Sequence, residues 1–284
     1  MAKYVLSAFA DEAGKSLSEQ IAALQRNNIK YMEIRGVDGV NISDIPLSRV
    51  IEIKKELDEA GIRVLTIGSP IGKVKLTDNY EQHIGKFLHV LGAARILEAK
   101  RIRMFSVFTD TPEEHEDIVF AKMEEMLDIA EGTGITLYHE NEKGIYGDTD
   151  ERVMRLMDEF AGRMEFIFDP ANFIQCGVEP AKAYPKLREE IGYFHVKDAL
   201  KETGEVVPAG EGDGAIGDIL ADYAKDHENV MLTVEPHLKS FEGLKDHTSM
   251  KDEPRHIYKD NNESFDAAVN ALKNILEERG LSYE

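Results

Sequence analysis

The residues that invite chemistry are acidic and imidazole side chains closing short apolar runs. The run ITLYHENE delivers Glu140, followed by Asn141 and Glu142. EFIFDPANF delivers Asp169 with Asn172 three residues on, YFHVKD carries His195, Lys197 and Asp198, and VMLTVEPH delivers Glu235 followed by His237. One carboxylate at the end of an apolar run is ordinary. Glu, Asp, His and Glu at the ends of four successive runs are not a packing pattern, because buried charges are costly without a counter-charge. A divalent cation supplies that charge. Three carboxylates and one imidazole make a hard, oxygen-rich donor set, so one ion is expected: Mn2+ first, or Mg2+, with Zn2+, Co2+ and Fe2+ also compatible. The chemistry of such a centre is that of a Lewis acid beside carboxylates. The sole cysteine, Cys176, falls past the second of these run ends and reads as a small buried or loop residue rather than a ligand.

The elements that must carry these groups recur evenly. Eight β-prone runs begin near Tyr4, Tyr31, Arg63, Ile102, Ile135, Glu165, Tyr193 and Val230. Their mean step of about 32 residues is one βα unit. Helix-like stretches lie between them. SLSEQIAALQRNN opens with serine caps at Ser16 and Ser18, and PLSRVIEIKKELDEAG runs from Pro46 to Gly61, the usual proline-first, glycine-last order. In the last stretch Phe265, Ala268, Val269, Leu272, Ile275 and Leu276 trace one helical stripe. Strand then helix, eight times, predicts parallel strands with crossover helices. Eight units without a G-x-G-x-x-G turn after the first strand favour a closed α/β (β/α)8 TIM barrel over an open doubly wound sheet. Residues 1–284 are expected to form one such domain. The stretch 236–262 reads as a long loop, either solvated or a lid over the barrel mouth.

In a (β/α)8 barrel the active site lies at the C-terminal strand ends, which is where the four groups fall. Further candidates for substrate contact share that end. Glu33 and Arg35 close the second run, Lys73 follows the third in SPIGK, and Glu142, Asn172, Lys197 and His237 flank the four groups. Glu33 and Arg35 read equally as pairing with each other or with neighbours, and Asn172 as orienting Asp169. PAGEGDGAIG after the seventh run reads as a mobile βα loop that brings Glu211 towards the site. It lacks a P-loop lysine. His139 alternates away from Glu140 and is expected behind the barrel wall.

The strand ends HENEKGIYGD, FDPANF, FHVKD and VEPH, with SPIGK, resemble the sugar phosphate isomerase/epimerase family of xylose isomerase-like TIM barrels along nearly the whole chain. The resemblance implies Glu140, Asp169, His195 and Glu235 as metal ligands, with Glu140 and Glu235 doubling as acid/base groups. Some relatives have a histidine where this chain has Glu142. The resemblance implies a metal-dependent sugar or polyol epimerase or isomerase, which abstracts a proton next to a carbonyl through a metal-stabilised enediolate. The same ligands would serve an inosose or keto-acid dehydratase. A non-catalytic sugar-binding barrel is a further alternative. Apurinic endonucleases share the barrel, but their site is richer in histidine.

Charge narrows the partners. The chain has 34 Lys and Arg against 54 Asp and Glu, a net charge of −20. Nucleic acid and anionic membranes would be repelled, while a small carbohydrate is compatible. No apolar run reaches the roughly 18 to 20 residues of a membrane span. The start MAKYVLSAFADEAG lacks signal-peptide features, and a single cysteine fits a reducing compartment. A cytoplasmic location is therefore expected. A homodimer is an open expectation.

Overall fold

The computed structural model describes residues 3–239 and 255–284. Eight strands form a closed parallel barrel. They are β1 (Tyr4–Ala8), β2 (Tyr31–Ile34), β3 (Arg63–Ile67), β4 (Arg101–Met104), β5 (Thr136–Glu140), β6 (Met164–Phe168), β7 (Ile191–Val196) and β8 (Val230–Val234). Each begins within two residues of the position its sequence run predicts. Closure comes from β1, which pairs with β8 from Tyr4↔Val230 to Ala8↔Val234 and with β2 through Ser7↔Tyr31.

Helices follow the strands and take their ends from local chemistry. Helix α1 (Leu17–Arg26) starts at a capping box in which Ser16 accepts the Glu19 amide and Glu19 accepts the Ser16 amide. Helix α2 (Leu47–Ala60) has Pro46 at its N-cap and stops at Gly61, where the chain turns left-handed with φ +72°. The last helix (Asn261–Glu278) buries Phe265, Ala268, Val269, Leu272 and Leu276.

Two apolar layers make up most of the core among the described residues. The larger lies between strands and helices. The smaller comprises Tyr138, Ile167, Tyr193 and Met231, with Leu65 against it. Tyr138, Ile167 and Tyr193 stand two residues before Glu140, Asp169 and His195, on the same face of their strands. This layer is the floor on which the polar cluster rests.

PAGEGDGAIG does not have the free course expected of a mobile loop. The Asp198 carboxylate accepts the amides of Gly210, Gly212 and Gly214 at 2.9, 3.2 and 2.8 Å, and that of Ala199 at 2.9 Å. A Cβ at Gly214 would stand 2.6 Å from Asp198 Oδ1, and one at Gly212 would meet the same atom. The glycines let three amides converge on one buried carboxylate. Glu211 is tied to His256 at 2.8 Å. Of the loop 236–262, residues 240–254 lie outside the described residues, so the lid expectation does too.

Candidate metal centre

Glu140 ends β5 and Asp169 directly follows β6. His195 is the penultimate residue of β7, and Glu235 follows β8. Strand register brings them to one height, with Glu140 beside Ile167 and His195 beside Thr233. One ligand atom from each of the four lies within 4.8 Å of all the others, and all four residues are buried.

Each group is held by named partners. Glu140 receives Arg103 at 3.0 Å on Oε2, and Asn172 at 3.2 Å and His195 Nδ1 at 2.9 Å on Oε1. Asp169 caps the short helix Pro170–Gln175, accepting the Asn172 amide on Oδ1 at 2.9 Å. Its backbone is tied to the Asn141 side chain by two 3.0 Å bonds. Glu235 meets Lys197 at 2.9 Å and Arg35 at 3.1 Å. His195 Nδ1 also lies 3.7 Å from Glu235 Oε2, so the two glutamates converge on one imidazole nitrogen.

The electrostatics follow from burial against close opposite charges. Burial pushes the Glu140 carboxyl up, but His195 and Arg103 outweigh it and hold the group at about 2. Glu235 is likewise raised by burial yet held well below the carboxylate range by Lys197, His237, His195 and Arg35. For His195 burial favours the neutral ring, while Glu140 and Glu33 overcome it and raise the pKa to about 10. Asp169 goes the other way. Burial raises it to about 7 despite Lys197, with Glu140 and Glu235 adding to the rise.

The donor set fits a divalent cation. Asp169 Oδ2 is buried and accepts no hydrogen bond of acceptable geometry, although Lys197 Nζ stands 3.0 Å away. A buried oxygen lacking a donor beside two more carboxylates and an imidazole is a place where a cation lowers the energy. The far nitrogen of His195 is bonded to Glu33 at 3.2 Å, the carboxylate–histidine arrangement that orients a ligating ring.

The other sequence candidates take different places around the centre. Glu33 is buried below His195 and also accepts from Tyr193 at 3.1 Å and Thr233 at 2.8 Å. Counting the His195 contact, three donors surround Glu33, which has almost no exposure. Arg35 pairs with Asp11, Glu12 and Glu235 and lies 4.5 Å over the Phe9 ring, so it is a neighbour's partner and not that of Glu33. Lys73 meets Glu142 at 2.8 Å, 4.3 Å above the Phe105 ring, and both are only partly buried. Asn172 bridges Glu140 and Asp169 as described. His237 has Nε2 3.3 Å from Glu235 and 3.4 Å from Glu12. His139 is buried away from the cluster, on Ser106 at 2.9 Å, as strand alternation predicts.

Two participants escape the sequence reading. Arg103, a charged residue inside the short strand β4, braces Glu140 while donating to the Ser69 and Gly68 carbonyls. Its signal was an arginine two places into an apolar run. Glu12 follows β1 and accepts the His237 amide at 2.7 Å. Burial, opposed by Arg35, raises its carboxyl to about 8.

A closed (β/α)8 barrel with a buried carboxylate–histidine cluster at its C-terminal mouth defines the class. The particular family follows from the match of residues 21–259: the chain belongs to the xylose isomerase-like TIM barrels. No curated protein matches it significantly. Among solved structures, the IolI protein with a bound zinc atom is similar at TM-score 0.73 and 15% identity, covering 98% of this chain and 99% of that one. L-ribulose 3-epimerase has TM-score 0.71 and 18% identity, covering 99% and 96%. The probable 3-DHS dehydratase AsbF of Bacillus anthracis, involved in petrobactin synthesis, has TM-score 0.71 and 14% identity, covering 96% and 99%. At these identities the likeness is one of fold. Within the described residues no helix is long and apolar enough to cross a membrane.

Proposed function

We propose that this chain is a divalent-metal-dependent epimerase or isomerase that moves a proton next to the carbonyl of a small carbohydrate. The observation that carries the proposal is the convergence of Glu140 and Glu235 on His195 Nδ1, at 2.9 and 3.7 Å, from strands three places apart around the ring. Glu140, Asp169, His195 and Glu235 would hold the ion, with Mn2+ the leading choice. When bound, the ion polarises the substrate carbonyl and offsets the negative charge that develops as the α-proton leaves.

The chain's own groups do the rest. Glu140 and Glu235 are kept by their cationic neighbours in the ionised form that a base needs, at the cost of some basicity. Placed on opposite sides of a bound sugar, one removes the proton and the other returns one. Return to the same carbon gives epimerisation, and return to the neighbouring carbon gives isomerisation. Lys73, Glu142, Asn172, Lys197 and His237 surround the mouth and would bind substrate hydroxyls. Glu33 and Arg35 keep His195 and Glu235 in place.

The dehydratase among the structural neighbours motivates a second reading, loss of a β-hydroxyl on the same site. Incubation with Mn2+ and a panel of ketoses, inososes and dehydro-acids in D2O separates the two. Deuterium uptake next to the carbonyl with the carbon skeleton's hydroxyls retained supports proton transfer. Loss of water supports dehydration, and absence of both from every compound defeats the enzymatic reading. Glu140→Gln and Glu235→Gln should each lower turnover by about 100-fold or more, with the circular dichroism spectrum unchanged. Near wild-type turnover in either variant would remove that residue from the mechanism.

A further inference from the structure

Lys197 stands between two of the candidate ligands. Its Nζ lies 3.0 Å from Asp169 Oδ2 and 2.9 Å from Glu235 Oε2. Those oxygens belong to two of the four candidate ligands, and Lys197 is 5% exposed, so its charge has little water to relax into. Arg103 and Arg35 also neutralise ligands but from outside the cluster: Arg103 takes the Glu140 oxygen facing away from His195, and Arg35 takes Glu235 Oε1 and spreads over Asp11 and Glu12. Among the described lysines and arginines, Lys197 is the one that bridges two candidate ligands, Asp169 and Glu235.

We infer that Lys197 is a built-in counter-cation that competes with the metal for Asp169 and Glu235 and so sets metal affinity low enough for exchange. The inference rests on the metal-site reading above. Its physical basis is charge. A divalent ion held by these oxygens stands within a few ångströms of the ammonium, and the two repel strongly in a buried site. Cation entry therefore pushes the ammonium off Asp169, whose Oδ2 already lacks a well-formed hydrogen bond. The flexible four-carbon stem lets the ammonium move, and a displaced ammonium is available to a substrate oxygen. A lysine suits this role better than an arginine, because it is a compact point charge that is not locked by a bidentate fork.

The test compares metal binding by the full-length protein and its variants, using isothermal titration with Mn2+ after chelator treatment. Lys197→Met keeps the length and removes the charge. It should bind Mn2+ about tenfold or more tightly than the wild type, and its melting temperature should rise further on Mn2+ addition. Lys197→Arg, which retains the charge, should not tighten binding. Lys197→Gln, purified with Mn2+ present and then dialysed, gives the same comparison should the methionine variant fold poorly. Wild-type binding with equal or weaker affinity in both uncharged variants overturns the inference and leaves the metal site standing. No Mn2+ binding by any of the proteins overturns both.

Discussion

At the scale of single residues, the centre is a set of carboxylates whose charges are assigned by what surrounds them. Glu140 and Glu235 have cations on several sides and stay ionised, whereas burial dominates at Asp169 and Glu12. Glu33 shows how little side-chain type alone says about role. At the end of an apolar run it has the look of a substrate contact, yet three donors from β7 and β8 claim it. Its removal should therefore be felt at the metal. Glu33→Gln is expected to weaken Mn2+ binding by about 10- to 100-fold, read by titration, while secondary structure is retained. Unchanged Mn2+ affinity in that variant would mean that the Glu33 contact does not orient His195.

At the scale of elements, the βα loops are less free than their composition suggests. Asp198 gathers amides from Gly210, Gly212 and Gly214 in a segment that reads as a mobile linker. Asp198→Ala should cost about 2–4 kcal/mol of unfolding free energy, since it leaves the buried amides of Gly214 and Ala199 without an acceptor and releases the part-buried amides of Gly210 and Gly212. Urea denaturation measures that cost, and limited proteolysis should show new cleavage between residues 208 and 215. A variant as stable and as protease-resistant as the wild type would contradict the anchoring role. The loop bearing Lys73 is anchored too. Gly72 has φ +91° and its amide donates to His83 Nε2 at 2.9 Å, while a Cβ there would run into the Phe105 carbonyl.

At the scale of the whole molecule, that last anchor links pH to stability. Burial, with Lys86 and Lys122 nearby and Asp78 opposing, lowers the His83 pKa below its ordinary value of about 6.5. Between the folded and unfolded values the unfolded chain binds more protons, so stability rises with pH there. The contribution is complete above about pH 6.5 and is lost as pH falls below it. The Gly72 bond adds to this sign, because a protonated Nε2 can no longer accept that amide. Thermal melts from pH 5 to 8 should show a steeper acid loss for the wild type than for His83→Gln. Parallel curves would remove His83 from the pH dependence. The same scale explains the net charge of −20: most acidic residues lie outside the cluster, and only a few are folded into its interior.

The spacing of βα units determines the barrel, because each run of β-branched and aromatic residues can be buried on both faces only inside a helix-flanked parallel sheet. It also determines the height of Glu140, Asp169, His195 and Glu235, since strand ends in a closed barrel share one rim. The partners of those groups are a different matter. Arg103 reaches Glu140 across a strand interface, Arg35 reaches Glu235 across 200 residues of chain, and Lys197 settles between Asp169 and Glu235. These contacts, and the turning of Glu33 towards His195, depend on ring closure, side-chain length and the local charge balance. The order of residues along one strand encodes which face a side chain takes, but the identity of its counter-charge is decided only when the eight strands meet.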